Sequence, residues 1–433
     1  MSDVIKINEK NADKLRKTTI ELERQNNGAV KTTSVKNVVM ILLHDPNLKN
    51  LFRLNEFTQE IDVVDNRKLE IKNIGTVIIS KGQYTDQVTN SVELYIEARS
   101  DYEHATFKNV IIEQAIDNVA YMNSYNPVID YMDNAYKHWD KKRRIDNFFP
   151  EYLGAKKNAT TTLITRTWLM GAVAKAYNPE TKFDYVLDLV GGQGVGKTSI
   201  LKNIAPLGLY TDQFNTFTKK DDFEVMKNAL IVNDDEMTAS NDASFEEIKK
   251  FITMQDFEYR KPYGHKPLHF KKKFVIARTT NEVRHLRDRS GDRRFLSIYA
   301  DPDKQTKNPV TDLTEDVVQQ LWGEVVWLYK NAKDPFRFTP KQEALLKQNR
   351  EEFRYTSGLE DNLMDILENK FKGQKFIPNR ELSVALFQDP NALSRNNKQT
   401  RDIRYYMEHL GFNTSALKKV EGKVVRGFQS NSR

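Results

Sequence analysis

Between Leu189 and Ile204 the chain reads LVGGQGVGKTSILKNI. Gly191, Gly192, Gln193, Gly194, Val195, Gly196, Lys197, Thr198 and Ser199 place glycines, a lysine and two hydroxyls in the spacing G-x-x-x-x-G-K-T. Residues of these types at this spacing make a phosphate cradle. Glycines let backbone N–H groups turn inward on a β-phosphate, the lysine reaches the β/γ oxygens, and the threonine hydroxyl joins Mg²⁺. The helix that follows adds its positive N-terminus. The expected ligands are ATP and Mg²⁺.

Three further stretches carry groups that nucleotide hydrolysis needs. ALIVNDDEM, Ala229 to Met237, is an apolar strand ending in acids. One carboxylate must hold the metal through water and another must polarise the attacking water. Asp235 and Glu236 are the expected pair, with Asp234 beside them as a further metal carboxylate. In KKKFVIARTTNEV, Phe274 to Ala277 reads as another core strand, and Asn281 follows at its tip, where a polar side chain can touch a γ-phosphate and the water. In RSGDRRFLSIY, Arg293 and Arg294 lie in a Gly-Asp turn before a strand. An arginine projected from such a turn can reach the nucleotide of a neighbouring subunit. Adjacent residues in a β-like stretch point to opposite sides, so one of the two serves, and Arg294 is preferred.

A different chemistry is written in EYRKPYGHKPLHFKKKF, Glu258 to Phe274. Two short β-like arms flank a Pro262-Tyr263-Gly264-His265 tip. Arg260, Lys261, His265 and Lys266 surround Tyr263, which can stack on a base or sugar, a combination suited to single-stranded nucleic acid.

The elements that must position these groups can be read in outline. Residues 1–35 are polar and read as a tail or loosely docked helix. Residues 36–135 read as a small mixed α/β domain: a helix over SVKNVVMILLH that stops at Asp45-Pro46, strands in LFRLNEFTQEIDVV and GTVIIS, an undecided VELYIEAR, and a helical stripe in FKNVIIEQAIDNVAYMN. A basic run, Lys141 to Arg144, precedes a helix over 161–177. FDYVLDLV then reads as a strand running directly into the glycine cluster.

Bulk composition sets the frame. The chain has 433 residues, 39% hydrophobic and 29% charged, with net charge +7, no cysteine and seven histidines. Without cysteine there is no disulfide, thiol nucleophile or thiolate zinc site, which fits a reducing compartment. The longest apolar run, Val38 to Leu43, falls far short of the roughly 20 residues of a membrane span. A soluble, cytoplasmic protein without a membrane partner is expected. The basic surplus favours polyanions.

The blocks HWDKKRRIDNFFPEYLGA, TRTWLMGAVAKAYNPETKFDY, IKKFITMQDFEYRKPYG and ARTTNEVRHLRDRSGDRRFLSIY, in this order around the phosphate loop, resemble the virulence-associated protein E family of superfamily 3 helicases. The similarity runs from about Tyr136 to Ala300. It implies an AAA+-type P-loop ATPase working as a ring, usually a homo-hexamer. Asn281 would be the sensor, the 259–271 hairpin the DNA-gripping loop of the pore, and Arg294 or Arg293 the finger in trans. Relatives are typically encoded by phages and phage-related islands, and this chain is similar to an island replication initiator moving 3′→5′ on single-stranded DNA. The family's acidic strand often ends Glu-x-x-Glu; here those places hold Asn233 and Glu236, with Asp234 and Asp235 between. No primase carboxylate signature stands in 1–135, so a helicase without a primase is expected.

From Leu359 the chain reads as three helices and a hairpin, the winged-helix pattern, in which the third helix enters a DNA groove and the hairpin flanks the backbone. From Arg395 onward nine basic residues stand against three acidic ones, nearly the whole surplus of the chain. Arg401, Arg404 and Tyr405, with Lys423 on the wing, are the expected contacts to a duplex origin.

The expected architecture is therefore α/β: a tail (1–35), an N-terminal α/β domain (36–135), a superfamily 3 ATPase (136–355) and a winged-helix DNA-binding domain (356–433). The expected function is an ATP-dependent DNA helicase and replication initiator. The alternatives are an ATP-controlled DNA-binding and oligomerisation switch, or a translocase on intact duplex.

Overall fold

The computed structural model describes residues 20–259, 268–286, 293–420 and 422–431. They fall into two compact units, Met1–Asn281 with Arg294–Gln342, and Glu282–Arg293 with Glu343–Arg433.

The first unit opens with α1 (Val35–His44), capped by Ser34, whose hydroxyl accepts from the Asn37 N–H, and stopped at Asp45 before Pro46. Strands β1 (Phe52–Asn55), β2 (Glu60–Val63), β3 (Arg67–Ile71), β4 (Gly75–Ile79) and β5 (Gly82–Gln83) form two small antiparallel sheets, β1-β2-β5 and β3-β4. Most of the undecided VELYIEAR segment lies in α2 (Asp86–Glu97), where Val88, Val92, Tyr95 and Ile96 are buried at helical spacing. With α3 (Asn109–Met122), these elements enclose one hydrophobic core running from Val30 to Ala120.

Three helices lead to the main sheet: α4 (Pro127–Lys137), α5 (Ile145–Leu153) and α6 (Ala159–Tyr177). Helix α6 is buried on nearly every side, and its Trp168 indole donates to the Ile276 carbonyl at 2.9 Å. Next come β6 (Val186–Gly191), α7 (Lys197–Ile204), β7 (Tyr210–Thr211), α8 (Lys220–Met226), β8 (Ile231–Asp234), α9 (Thr238–Asp242), α10 (Phe245–Thr253), β9 (Asp256–Tyr259), β10 (Leu268–Lys271), β11 (Val275–Thr280), β12 (Phe295–Ala300) and α11 (Glu315–Asn331). The five-stranded sheet has the order β12-β6-β11-β8-β7 and every pairing in it is parallel. Strands β6 and β8 are buried along their whole length, as in parallel sheets covered on both faces, and among their apolar residues they carry Asp188, Asn233 and Asp234. Because β11 lies between β6 and β8, its C-terminal tip stands between the glycine loop and the acids. Trp322 of α11 donates to the Ile204 carbonyl at 2.8 Å, satisfying an otherwise open carbonyl at the end of α7.

The β9–β10 hairpin pairs Tyr259 with Leu268 through to Asp256 with Lys271. Its base rests on packed rings, with Phe257 4.9 Å from Phe223 and 5.7 Å from Phe274. Three successive lysines leave it. Lys271 is an exposed cation between Asp256 and Glu180. Lys272 is buried, donating to the Ile252 carbonyl between the rings of Phe251 and Phe274. Lys273 turns to the N-terminal elements, donating to the Glu56 and Phe57 carbonyls. With Lys227, which pairs with Glu60 at 3.3 Å, it ties the β1–β2 turn to the root of the hairpin.

The second unit contains most of α12 (Pro340–Glu352), then α13 (Gly358–Asn369), β13 (Phe376–Pro378), α14 (Asn379–Phe387), α15 (Lys398–His409), β14 (Phe412–Val420) and β15 (Lys423–Ser430). The strands form a sheet in the order β13-β15-β14 over a core of Leu363, Ile377, Leu382, Ile403, Met407 and Phe428. The short strand β13 adds to the hairpin expected from sequence. The division falls earlier than residue 356 and takes in the segment after β11. The reason is pairing: the Leu286 N–H donates to the Phe353 carbonyl at 3.1 Å, and the Tyr355 N–H to the Leu286 carbonyl at 2.8 Å. Among the described residues no helix is long and apolar enough to cross a membrane.

Burial pushes the Lys272 ammonium down to about 7, from an ordinary lysine value of 10.5. The unfolded chain therefore holds this proton over a pH range in which the folded chain has lost it, and stability must rise with pH across that range. Relative to Lys272→Met, the wild type should gain stability from pH 7 to 9.5 at up to about 1.4 kcal/mol per pH unit. Denaturant titrations at the two pH values read this. A pH-independent difference would contradict the buried, titrating lysine.

Candidate active site

Parallel register brings the C-terminal ends of β6, β8 and β11 to one edge of the sheet, where α/β folds bind ligands. The glycine loop leaves β6 at Gly191, whose φ is 151°. A Cβ there would sit 2.4 Å from the Ala300 carbonyl oxygen of β12, so only glycine fits. Gly196 caps α7 with φ 89°, and a Cβ on it would meet Pro309 at 2.3 Å. Gly192, Gln193 and Gly194 stand exposed between them, while Val195 is buried and anchors the loop. Ser199 lies half-buried in the first turn of α7.

Lys197 is the first residue of α7 and is buried. Its ammonium donates to the carbonyls of Gly191 (2.7 Å) and Gly192 (2.8 Å) and to Asn281 Oδ1 (3.0 Å). An ammonium has three donors, so all are spent, and a phosphate arriving here exchanges with these acceptors. Burial lowers the Lys197 pKa, while Glu236 and Asp235 act in the opposite sense.

The three acids after β8 part company. Successive strand side chains alternate faces. Asp234 lies in register with Arg278, which lies in register with Asp188, so these three share one face of the sheet. Asp188 and Arg278 form a buried two-pronged pair at 2.8 and 2.7 Å. Asp234 accepts from the Ala239 and Ser240 N–H groups, both at 2.9 Å, and burial holds its carboxyl above the usual range. Asp234 was expected among the metal carboxylates; in this structure its oxygens are engaged at the start of α9.

Asp235 faces the other way. Its Oδ1 accepts from the Thr198 hydroxyl (2.6 Å), the Thr279 hydroxyl (2.7 Å) and Asn233 Nδ2 (3.2 Å). The chain then makes a tight turn, with φ of 52° at Glu236 and 51° at Met237. Non-glycine residues hold such values where the surroundings impose them, often at functional sites. The turn exposes the Glu236 carboxylate, which accepts from Asn281 Nδ2 at 3.2 Å. Asn281 thus joins Lys197 on one side of its amide to Glu236 on the other.

Two contributors escape a reading of motifs. Thr279 donates to Asp235 and accepts from the Glu236 N–H at 3.0 Å, fixing both acids. It sits two residues before Asn281, and that spacing was its only signal. Asn233, at a place where the family often has Glu, is fully buried and bridges Asp235 to the Tyr210 hydroxyl at 3.0 Å.

The metal expectation can be tested on the donor set. Among the described residues no cluster of three His, Cys, Asp or Glu could cage an ion. One hydroxyl and one carboxylate, Thr198 and Asp235, fit Mg²⁺, which keeps several waters and takes its remaining ligands from substrate phosphates.

Arg294 lies at the opposite edge of the sheet, where its carbonyl accepts from the Val186 N–H at the start of β6. Six strand residues, roughly 20 Å at about 3.3 Å each, separate it from its own glycine loop. Arg293, directly before it, is exposed. Arg260, Lys261, Tyr263, His265 and Lys266 lie outside the described residues. On α15, Arg401 and Arg404 are exposed and Tyr405 is half-buried, while Ile403 and Met407 face the core; Lys423 is exposed at the start of β15.

A parallel sheet carrying a glycine loop, a lysine on the first helical turn and a strand-tip carboxylate on the threonine defines a P-loop NTPase core. Residues 132–355, more than half of the chain, match the virulence-associated protein E-like domain, and the chain belongs to that family. Among solved structures it is similar to the C-terminal region of NrS-1: an apo A form at 14% identity, covering 91% of this chain and 98% of that one with a TM-score of 0.43, and another apo A form at 15% identity, 88% and 96% coverage and a TM-score of 0.39. These overlaps are too weak to carry fold or function across. The comparison with curated proteins finds no match.

Asp235→Asn should lower Mg²⁺-dependent turnover at least about 100-fold with little change in melting temperature. Asp234→Asn should instead lower stability by about 1–3 kcal/mol and keep the wild-type Mg²⁺ half-saturation. Parallel metal titrations and melts compare them, and an exchange of the two phenotypes would overturn the assignment.

Proposed function

We propose that this chain is an ATP-driven DNA helicase of the superfamily 3, AAA+ type that initiates replication of a phage-related element. The single observation that carries the reading is the lattice of Lys197, Thr198, Asp235, Glu236 and Asn281, which links glycine loop, acids and sensor strand through direct hydrogen bonds. The N–H groups of Gly192 to Thr198 bind the β- and γ-phosphates, and Lys197 leaves its loop carbonyls for phosphate oxygens. Thr198 and Asp235 would hold Mg²⁺, which supplies neutralisation of phosphate charge. Glu236, steadied by Asn281, orients and polarises the attacking water.

Arg294, or Arg293 beside it, supplies the remaining positive charge to a neighbouring protomer's nucleotide. The distance from Arg294 to its own loop favours action in trans, and hence a closed ring, a homo-hexamer by family resemblance. Loss of the γ-phosphate changes the hydrogen bonds of Asn281 at the tip of β11. The β9–β10 hairpin leads into the root of that strand through Lys272 and Lys273, so the change reaches a tip carrying Arg260, Lys261, Tyr263, His265 and Lys266 on single-stranded DNA. In the second unit, α13, α14 and α15 with the β13-β15-β14 sheet are read as a winged helix. Its exposed Arg401 and Arg404, with Tyr405 and Lys423, contact duplex origin DNA. Cytoplasmic location and 3′→5′ travel belong to the same reading.

With a forked duplex, the wild type should hydrolyse ATP faster in the presence of DNA and displace a strand. Lys197→Ala should lose at least about 100-fold in turnover yet keep duplex binding by the C-terminal unit. Normal turnover in that variant would refute the site. DNA-stimulated turnover without strand displacement would replace the helicase with a switch or duplex translocase.

A further inference from the structure

A cavity of about 190 Å³ lies along α5, outside the lattice described above. Phe148 and Tyr152 of α5 and Val317 and Leu321 of α11 line it beside polar and charged side chains. Three cations also line it, but each already has a carboxylate. Arg144 holds Asp140 through two bonds of 2.7 Å, Lys307 holds Glu151 at 2.6 Å, and Arg143 lies 3.7 Å from Glu324 with its guanidinium over the Trp327 ring at 4.3 Å. The paired cations leave no surplus charge for a phosphate. What remains is the Asn147 side-chain amide, half-buried at the wall and without a partner among the described residues. Two aromatic rings, cations neutralised by carboxylates and one open carboxamide make a lining that accepts a neutral planar heterocycle. The volume is below the roughly 300–1,000 Å³ of sites that enclose a whole drug-sized ligand, and suits one ring system.

The cavity is tied to the phosphate loop through the segment after β12. Gln305 Nε2 donates to the Tyr152 carbonyl at 2.7 Å and reaches the Val195 carbonyl at 3.5 Å, bringing α5 and the loop together. Thr306 and Lys307 donate their N–H groups to the Glu151 carbonyl, both at 3.0 Å. Pro309 packs under Gly196, and its carbonyl accepts from Asn203 of α7 at 2.8 Å. A nucleotide whose phosphates lie on Gly192 to Thr198 therefore has this cavity on the loop's flank.

We propose that the cavity receives the base of that same nucleotide, a purine of the adenine type, with Asn147 pairing its amino group and adjacent ring nitrogen as carboxamides pair adenine elsewhere. The inference rests on the phosphate-loop reading and adds to it the part of the protein that distinguishes ATP from any other triphosphate. It also gives the family block that runs from Arg143 to Tyr152 a chemical task.

The test separates base from phosphate by measuring Kd for Mg-ATP and for Mg-tripolyphosphate on the full chain. Asn147→Ala removes the amide, and Val317→Trp fills the cavity from a half-buried position. Both should weaken ATP about tenfold and leave tripolyphosphate within about twofold, the unchanged tripolyphosphate affinity also reporting a folded loop. Equal weakening of both ligands, or unchanged ATP affinity in both variants, overturns the base site while Lys197→Ala still judges the phosphate loop. If the wild type binds neither ligand, the loop reading fails and the base site falls with it.

Discussion

A buried ammonium must have its donors met, and the site is arranged around that demand. Lys197 has little water to turn to, so two loop carbonyls and the Asn281 amide oxygen surround it. Those acceptors come from the end of β6 and the tip of β11, which meet only because the two strands run parallel in register. A slip of one residue in that register would flip Asn281 to the other face and leave the lysine short of a partner. The same slip would separate Thr279 from Asp235 and Glu236. The fold thus serves the site chiefly by fixing one register across β6, β11 and β8.

The two faces of that sheet divide the work. On one, Asp188, Arg278 and Asp234 form a buried row that holds the three strands and the start of α9. On the other, Thr198, Asp235, Thr279 and Asn233 form the row that can meet a metal-bound triphosphate. Buried ion pairs are costly to assemble and costly to break from one side, which suits a scaffold that has to keep strand register while its outer edge exchanges ligands. Asn281 ends the first segment of one compact unit, and Glu282 begins the other. Asn281 is therefore joined covalently to a segment whose backbone pairs with residues before α13.

Much of this was legible in the sequence, for identifiable reasons. The glycine loop was plain because its geometry tolerates few substitutes: a Cβ at Gly191 or Gly196 would strike the neighbouring chain. The order of apolar runs and polar tips placed β6, β8 and β11, and the helix–hairpin pattern placed the C-terminal elements. Three adjacent acids could not be sorted by type, since alternation separates them only once the last strand residue is known; the strand ends at Asp234 and throws Asp235 toward Thr198. Thr279 and Asn233 were missed because a threonine and an asparagine in a strand carry no chemical label until a carboxylate stands beside them. The basic run Lys141 to Arg144 looked like surplus charge, yet Arg144 and Arg143 are matched by Asp140 and by Glu324, the latter nearly two hundred residues on in roughly the middle of α11. Such long-range pairing leaves no periodic signal in a sequence.

The most direct test is a crystal structure with Mn²⁺ and a non-hydrolysable ATP analogue, the metal located by its anomalous scattering. The account predicts a manganese peak beside Thr198 Oγ1 and Asp235, phosphates on the N–H groups of Gly192 to Thr198, and the Lys197 ammonium moved from the Gly191 and Gly192 carbonyls to phosphate oxygens. A metal held by Asp234, or a nucleotide bound elsewhere while Lys197 keeps both carbonyls, would contradict it.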